Sequence, residues 1–352
     1  MKRSVKLADV ARAAGVSQGT ASNVFAKPEL VRPEVRERVE EVARALGYHG
    51  PDPRGRLLRA GKVNAIGVVV MDDLSYFFQD PFSREFMSGV AEICDARGAG
   101  IALVSAVDRD RAAWGIDSAL VDGFIIQCLE HGDQLIDLAR RRGLPFVAVD
   151  VDPGPDASAI LIDDRGGARQ AAEHLLALGH RRFGILSLEI HADGHVGLVE
   201  GARRSASLYG PTRHRLEGYG TALRAAGVDF DAVPIVEVAN DQGGATAGAA
   251  TLFDAAPDIT AVLAMSDVLA LGAIAEARRR GLAVPGDVSV VGYDDVPEAA
   301  RAEPPLTTIA QPTRRKGGIA AHMIFDPGPP RKEFLPVELV VRASTGPAPT
   351  PR

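Results

Sequence analysis

From residue 63 onward, the chain alternates short apolar runs with stretches of helical periodicity. Nine apolar runs are predicted strands, at 65–71, 100–105, 123–127, 146–149, 159–162, 183–187, 235–238, 261–264 and 288–292. Predicted helices lie between them, for example at 83–97, 134–142, 167–178, 216–226, 243–255, 268–280 and 314–324. Such alternation is typical of a parallel, doubly wound sheet. Because nine strands are many for one open sheet, we expect two α/β lobes with a cleft between them.

Residues 6–25 follow a different pattern. Apolar residues mark one face of two short helices, with Leu7, Val10, Ala11 and Ala14 on the first and Ala21, Val24 and Phe25 on the second. Gly15 separates the helices, and Ser17 is placed to cap the second one. This is the helix-turn-helix pattern, whose second helix enters the DNA major groove. An ordinary helical hairpin is the alternative, and the small, polar outer face favours DNA binding.

A third helix and a linker follow. Pro33 opens the helix and Gly47 ends it, which is the expected asymmetry. Arg32, which precedes Pro33, is not among the residue types that cap helices well, so a capping bond worth about 1 kcal/mol is absent. Residues 47–62 are rich in Gly and Pro and then basic, so a flexible tether is the simplest interpretation.

Charge separates the two parts of the chain. The 352 residues carry a formal charge of −6, yet residues 1–62 hold 13 Lys and Arg against 7 Asp and Glu, and the rest hold 27 against 39. A basic head on an acidic body indicates nucleic acid as a partner of the head alone.

The cysteines and two absent sequence patterns indicate the cellular compartment. Cys94 and Cys128 each lie in an apolar run, which favours two buried thiols in a reducing cytoplasm over a disulfide. We see no secretory signal pattern and no apolar stretch near the about 20 residues that span a bilayer. We therefore expect a cytoplasmic protein with no membrane partner.

The headpiece resembles that of the LacI/GalR family of transcription regulators. Residues matching its pattern are Asp9, Val10, Ala11, Ala14, Gly15, Val16, Ser17, Thr20, Ser22 and Val24. Predicted DNA contacts in this part are Lys6, Ser17, Gln18, Thr20, Ser22 and Asn23. The amides of Gln18 and Asn23 suit adenine, whereas Thr20 and Ser22 are better placed for phosphate oxygens. The palindromic operators of such regulators imply a homodimer.

The linker is similar to the family's hinge, with Arg56, Leu58 and Gly61 matching. The resemblance implies that the hinge folds on the operator, that Arg56 contacts DNA and that Leu58 enters the minor groove as a wedge. Gly55 stands where the family has Ala, which lowers helix propensity by about 1 kcal/mol and favours folding coupled to binding.

The body resembles the family's type I periplasmic-binding-protein-like domain. Matching phrases include 162–180, 215–219, 265–272, 285–295 and 304–312, so the resemblance covers essentially the whole chain. We divide the chain into an all-α helix-turn-helix headpiece at 1–50, a hinge at 51–62, an effector-binding and dimerisation domain at 63–345 and a tail at 346–352. The expected lobes are 63–162 with 290–322, and 163–289 with 323–345.

Ligands of this fold lie between the lobes, at the carboxyl ends of strands. By position, the predicted effector-binding residues are Asp80, Phe82, Asp150, Arg169, Arg215, Asn240, Asp241, Asp267 and Asp294. Arginine forks and carboxylates orient hydroxyls or anions, and Phe77, Phe78 and Phe82 suit stacking on a ring face. The alternatives are that the carboxylates cap helices or turns and that the aromatic rings are core.

Residues 189–214 show no clear strand or helix. His191, His195 and His214 have no compact ligand spacing, so a surface loop at the cleft or dimer interface is favoured over a zinc site. We predict no metal and no cofactor. Residues 334–352 indicate one strand and a Pro-rich tail, without the heptads of a tetramerising coiled coil.

The sequence thus predicts a dimeric, operator-binding transcription regulator, a repressor in the leading hypothesis, controlled by a small-molecule effector. A sugar is the family's commonest effector class, and nucleosides or other metabolites are alternatives. A transport-type binding protein is the second hypothesis and an α/β enzyme the third. Neither a Walker A motif, nor G-x-S-x-G, nor H-E-x-x-H is present, so we expect no enzyme.

Overall fold

The computed structural model of the chain describes residues 5–50, 62–70, 73–127, 132–191, 193–205, 207 and 209–350. The chain divides into two compact units at Val63 and Asn64. Because the predicted hinge at 51–62 lies almost wholly outside the described residues, its folding stays a prediction.

The elements are as follows. Helices are α1 Leu7–Ala13, α2 Gln18–Ala26, α3 Pro33–Leu46, α4 Leu74–Gln79, α5 Pro81–Arg97, α6 Arg109–Ser118, α7 Gly132–Arg141, α8 Asp164–Ala177, α9 Gly210–Ala225, α10 Gln242–Ala255, α11 Asp267–Arg279, α12 Pro297–Arg301 and α13 Thr313–Phe325. Strands are β1 Ala65–Val70, β2 Gly100–Ser105, β3 Gly123–Gln127, β4 Phe146–Val149, β5 Ser158–Ile162, β6 Phe183–Ser187, β7 Gly197–Leu198, β8 Ile235–Glu237, β9 Ala261–Ala264, β10 Ser289–Asp294, β11 Thr307–Ala310, β12 Lys332–Leu335 and β13 Glu338–Val340. Short 3-10 turns occupy Pro28–Leu30, Gly201–Ser205 and Phe230–Ala232. No described helix is both long and apolar enough to cross a bilayer.

The first unit is the predicted three-helix headpiece. Its core is small, formed by Val10, Ala11, Ala14, Ala21, Val24, Val39 and Ala43. Phe25 packs edge-to-face on Tyr48, with ring centroids 5.6 Å apart, and so ties α2 to the end of α3. Gly47 ends α3 in the left-handed region at φ 70°, where glycine meets no Cβ penalty. Arg32 makes no side-chain capping bond, as predicted.

The second unit contains two lobes, each built on one sheet. In the first lobe the described strands run β12–β5–β4–β3–β1–β2, all parallel, with Val68 paired to Ile125 and Leu103. In the second they run β13–β11–β10–β9–β6–β8–β7, with antiparallel pairing where β13 meets β11 and where β7 meets β8. The predicted doubly wound, two-lobed fold is confirmed.

Helices α5 and α13 cover one face of the first sheet and pack backbone to backbone through glycines. A Cβ on Gly89 would overlap the backbone oxygen of Arg314, and one on Gly317 would overlap that of Phe86. This close approach buries Ala320, Met323 and Ile324 of α13 against the apolar core of the first lobe.

The chain crosses between the lobes three times, between β5 and α8, between β11 and α13, and between β12 and β13. The expected division of the C-terminal part is therefore corrected. Strands β10 and β11, within 289–310, belong to the second lobe, whereas α13 and β12 belong to the first. Nothing in the sequence of these short strands indicates which of the two sheets they join.

All nine predicted strands exist, five at their predicted bounds and four with an end shifted by one or two residues, and the predicted helices exist as well. Elements α4, α6, α12 and β11 were not among the predicted ones, and residues 332–340 form two strands where one was expected. Residues 189–214 also contain β7, one 3-10 turn and the start of α9.

Candidate functional site

The outer face of α2 carries the side chains predicted to read bases. Gln18 and Asn23 are both exposed there. Ser17 caps the helix, because its Oγ accepts from the Thr20 amide at 3.0 Å and lies 2.8 Å from Thr20 Oγ1. These two hydroxyls thus start the helix, and the two amide side chains point outward from it.

The remaining predicted DNA contacts are Lys6, Ser22, Arg56 and Leu58, and only the first two are described. Lys6 is exposed at the start of α1, and Ser22 is half-buried on α2. Arg56 and Leu58 lie outside the described residues, so their roles stay predictions.

A cavity of about 580 Å³ lies between the two lobes. The first lobe contributes Val70, Gln127 and part of 73–83, and the second contributes parts of 188–212 and 238–241. Val70 and Gln127 end β1 and β3, and the segments after β6 and β8 line the opposite wall. The cavity therefore occupies the carboxyl ends of parallel strands and has the size of small-molecule sites.

Four predicted effector-binding residues line this cavity, namely Asp80, Phe82, Asn240 and Asp241. Asp80 caps α5, and its Oδ2 accepts from the Ser83 amide at 2.8 Å and from Ser83 Oγ at 2.7 Å. Its other oxygen, Oδ1, is buried and has no hydrogen-bond partner in the described protein. Burial raises the pKa of Asp80 above its ordinary value.

Asn240 joins the lobes at the cavity wall. Its backbone oxygen accepts from the Tyr76 hydroxyl at 2.9 Å, and its Nδ2 donates to the same hydroxyl at 3.1 Å. Its Oδ1 accepts from Ser266 Oγ at 2.6 Å. Asp241 caps α10 by accepting from the Gly244 amide at 2.7 Å. Two of the four side chains thus also serve as helix caps.

Asp150 and Asp294 lie outside this cavity, in a buried chain of polar groups at the lobe junction. Lys316 Nζ donates to Asp150 Oδ1 at 2.5 Å and to Gln311 Oε1 at 2.5 Å. Gln311 Nε2 in turn donates to Asp294 Oδ1 at 2.6 Å. This chain connects α13 of the first lobe to β10 of the second. We call these four residues, with Arg215 and Asp164, the junction network.

Arg215 is buried on α9 and belongs to that network. Its Nε donates to Asp164 Oδ1 at 2.8 Å, and its Nη1 donates to the Met265 backbone oxygen. The guanidinium lies 3.7 Å from the Tyr293 ring centroid, and Nη1 is 3.9 Å from Asp294 Oδ1. Protein partners engage Asp150, Arg215 and Asp294 in this structure, and their predicted contacts with the effector stay predictions.

Two more predicted residues lie elsewhere. Asp267 is fully buried, and it accepts from the Val296 amide at 2.9 Å and from Thr308 Oγ1 at 2.5 Å, which ties α11 to the second sheet. Arg169 is exposed on α8 and lies 3.6 Å from Glu173. Burial raises the pKa values of both Asp267 and Asp294, that of Asp294 to about 7.

The cavity also contains residues that were not named individually as effector contacts, although the loops around 72–82 and 189–214 were expected near the cleft. Tyr76, Gln127, Glu189, His195 and Tyr209 all line it. A polar Gln127 at the end of an otherwise apolar strand was a usable signal for a cleft residue. Tyr76 and Tyr209 lie in the two loops expected near the cleft, but neither has strand periodicity that would single out its side chain.

The structure places the predicted aromatic residues and the histidine loop in different environments. Phe77 is buried in the core of the first lobe and reaches the cavity, whereas Phe78 is exposed. The loop that contains His195 lies at the cleft. Among the described residues, no three His, Cys, Asp or Glu side chains are grouped to hold a metal ion. Cys94 is a buried free thiol, and Cys128 lies outside the described residues.

Comparison with known proteins covers both units of the chain. A family model for bacterial regulatory proteins of the lacI family matches residues 6–51, and one for a periplasmic binding protein-like domain matches 172–345. The HTH-type transcriptional regulator Rv3575c of Mycobacterium tuberculosis is 38% identical over 355 residues, covering 98% of both chains.

Two solved structures show the same architecture over nearly the whole chain. The transcriptional regulator CelR in complex with cellobiose has a TM-score of 0.69 at 30% identity, covering 97% of this chain and 100% of its own. The lac repressor dimer bound to operator and an anti-inducer has a TM-score of 0.74 at 26% identity, covering 98% and 100%. The chain therefore belongs to the lacI family of bacterial regulatory proteins, with a DNA-binding headpiece followed by a ligand-binding domain.

Proposed function

We propose that this protein is a homodimeric transcriptional repressor whose operator affinity is set by a neutral, sugar-like effector bound between the lobes. The proposed effector class is supported by the residues that line the interlobe cavity. Carboxylates and aromatic rings line it, and no Lys or Arg is among its described lining residues.

Four carboxylates, Asp73, Asp80, Glu189 and Asp241, line the cavity. A phosphate or carboxylate on the ligand would be repelled there, and no lining cation among the described residues would offset the repulsion. Carboxylate oxygens accept hydrogen bonds from hydroxyl groups, and such charge-assisted bonds are the stronger kind. The buried Oδ1 of Asp80 can accept a ligand hydroxyl, which would replace the water that burial removed.

Aromatic rings complete the fit to a sugar. Tyr76, Phe77, Phe82 and Tyr209 line the same cavity. The apolar face of a pyranose packs on such rings while its hydroxyls reach the carboxylates between them. The relative CelR was solved with cellobiose, a neutral sugar, which supports the same class of ligand.

Control of DNA binding follows from linkage. The lobes meet through Tyr76 and Asn240 beside the cavity and through Arg84 and Glu298, whose Nη2 and Oε1 are 2.5 Å apart. A ligand that contacts both walls binds one lobe arrangement more tightly and shifts the population toward it. We expect a coupling free energy of about 1–3 kcal/mol between effector and operator.

The headpiece supplies the DNA contacts. Its basic charge attracts the phosphate backbone, and the exposed amides of Gln18 and Asn23 suit adenine in the major groove. A dimer presents two headpieces to two half-sites, and the lac repressor was solved as a dimer on its operator.

The DNA-binding proposal is tested by selecting genomic fragments with the full chain and with a chain lacking residues 1–62. We expect the full chain alone to enrich one palindrome. Gln18→Ala and Asn23→Ala should relax base preference at single positions, whereas Lys6→Ala should weaken binding to all sequences alike. If low-salt selections with sugars present enrich no sequence, the repressor proposal fails.

The effector class is tested by calorimetry with cellobiose, glucose, galactose, ribose and their phosphate esters. We expect a neutral sugar to bind and its phosphate ester to bind at least tenfold more weakly. Asp80→Asn exchanges an acceptor for a donor at Oδ1 and should weaken sugar binding about 10- to 100-fold. Asp258→Asn, on an exposed ion pair, is the matched control. Preference for a phosphate ester would exclude a neutral effector.

We also propose that the bound sugar is not turned over. The relatives are transcriptional regulators. Release of a modified sugar from the purified protein would revive the enzyme hypothesis.

A further inference from the structure

The segment between β6 and α9 forms one wall of the interlobe cavity. We call the described residues of this stretch, 189–191, 193–205, 207 and 209, the wall segment. It contributes Glu189, Gly194, His195, Val196 and Tyr209 to the cavity lining. Loops of this length are ordinarily the most variable part of a domain, so the contacts that fix this one bear on what the cavity accepts.

The strongest of these contacts is a buried ion pair. Glu237 is the last residue of β8 and is fully buried. Arg203 of the wall segment binds it with two bonds, from Nε to Oε2 at 2.6 Å and from Nη2 to Oε1 at 2.8 Å. The Ile190 amide donates to Glu237 Oε1 at 2.7 Å. One carboxylate thus holds the beginning and the later part of the wall segment.

Arg203 also binds within the wall segment. Its Nη1 and Nη2 donate to the two carboxylate oxygens of Asp193 at 2.7 Å and 2.8 Å. The Arg203 guanidinium holds the pKa of Asp193 well below its ordinary value, so both charges persist throughout the neutral range. The guanidinium is therefore a two-sided clamp, with β8 on one side and the tip of the wall segment on the other.

Neighbouring residues add independent anchors. Arg204 donates to the backbone oxygens of Phe230, Asp231 and Val233 at 2.7–2.8 Å. Leu198 pairs with Val236 in the β7–β8 ladder. Ile190 and Val199 are buried in the core of the second lobe.

The cavity side of the wall segment has hydrogen bonds of its own. Tyr209 Oη donates to Glu189 Oε2 at 3.2 Å, and Thr212 Oγ1 donates to the Glu189 backbone oxygen at 3.0 Å. His195 Nε2 lies 3.3 Å from the Leu198 backbone oxygen. Glu189 and Tyr209 thus join the two ends of the wall segment directly at the cavity.

We infer that the wall segment is a preformed wall that selects the effector, and that Arg203 is the positioning residue which keeps it formed. This inference rests on the proposed function, because it concerns the ligand of the same cavity. Arg203 does not line the cavity, so it acts on the ligand through the position of Glu189, His195 and Tyr209.

Preformation has a measurable consequence. A ligand that binds only the ordered wall has an apparent dissociation constant equal to the intrinsic one divided by the ordered fraction. If loss of the clamp lowers that fraction to about a tenth, affinity falls about tenfold without the loss of any direct ligand contact. Discrimination among sugars should fall as well, because a mobile wall adapts to different shapes.

The test combines hydrogen exchange with sugar binding on the full chain. Arg203→Gln should speed amide exchange across 193–203 at least tenfold and leave 261–264 in β9 unchanged. Its affinity for the sugar that the wild type binds should fall about tenfold, with operator binding of the sugar-free protein unaltered. Arg203→Lys keeps the charge without the fork and should recover only part of the affinity. Arg182→Gln, at an exposed pair in the same lobe, is the matched control.

A second variant keeps the inference testable if Arg203→Gln does not fold. The double change Arg203→Gln with Glu237→Gln removes both charges, and the side-chain amide oxygen introduced on β8 can still accept from the Ile190 amide. It should give the same faster exchange and weaker sugar binding. Faster exchange with unchanged affinity and selectivity would overturn the inference and leave the proposed function intact. Unchanged exchange would overturn it as well. If the wild type binds no sugar in the panel, the proposed effector class fails, and the exchange result still decides whether Arg203 holds the wall.

Discussion

Lys316 offers the sharpest test of the junction network. The substitution Lys316→Met keeps an unbranched side chain of similar length and removes the ammonium group. Asp150 would lose its cation while both side chains stay within the protein, where Lys316 is fully buried and the Asp150 side chain is 8% exposed. Removing one member of a buried ion pair is strongly destabilising, by about 3–5 kcal/mol. We expect the free energy of unfolding to fall by that amount at pH 8.

The loss should depend on pH in a defined direction. Burial already raises the pKa of Asp150, and Lys316 opposes that shift. Without Lys316 the pKa rises further, so the folded variant takes up a proton that the unfolded chain does not hold. Protonation removes the unpaired charge, so stability of the variant recovers as pH falls. At pH 6 we expect the loss to be smaller by about 1 kcal/mol or more.

Urea unfolding followed by circular dichroism measures both effects. The double variant Lys316→Met with Asp150→Asn is the control, since it leaves neither charge of this pair and should be within about 1–2 kcal/mol of the wild type at either pH. A loss below about 1 kcal/mol at pH 8, equal at pH 6, would refute the argument that this pair is buried and mutually compensating.

Three further predictions concern packing, capping and titration. Gly89→Ala would force α5 away from α13 and should cost about 1–3 kcal/mol of unfolding free energy, whereas Gly318→Ala, where a Cβ meets only ordinary contacts, should be neutral or stabilising in the same denaturation assay. Arg32→Ser supplies the missing cap of α3 and should slow amide exchange in that helix by an amount equivalent to about 1 kcal/mol, and unchanged exchange would contradict it. Asp294 has a pKa raised by burial to about 7, so its contribution to stability is lost as pH rises from about 4 to 7, and Asp294→Asn should flatten that pH dependence by up to about 1.4 kcal/mol per unit between pH 5 and 7. Equal slopes for Asp294→Asn and the wild type would show that this carboxyl does not titrate there.

The sequence predicted local structure well where periodicity was strong. Strands such as Gly123–Gln127 are apolar at nearly every position because both faces are buried, and they were predicted at their observed bounds. The helix-turn-helix followed from the spacing of Val10, Ala14 and Val24 with Gly15 between the helices. Short elements such as α12 and β7 were missed, because two to five residues carry too little periodicity to be distinguished from loop.

Sequence reasoning was weaker at the site, where the partners of each side chain decide its role. Ligands were expected at the carboxyl ends of strands, and Asp294 ends β10 while Asp241 follows β8 by four residues. Asp241 lines the interlobe cavity, whereas Asp294 is engaged by Gln311, 17 residues further along the chain. Arg215 is likewise buried through Asp164, 51 residues away. Such pairings depend on tertiary contacts that no local pattern records.

The three crossings between the lobes have a consequence for synthesis of the chain. Strand β5 ends at Ile162, and its outer neighbour β12 begins at Lys332. At about 5–20 residues per second, a ribosome needs roughly 10–30 s to make the intervening chain. During that time β5 is an unpaired sheet edge, open to association with other chains. Since β13 of the second sheet follows β12 almost directly, both lobes are completed together at the same late stage of translation.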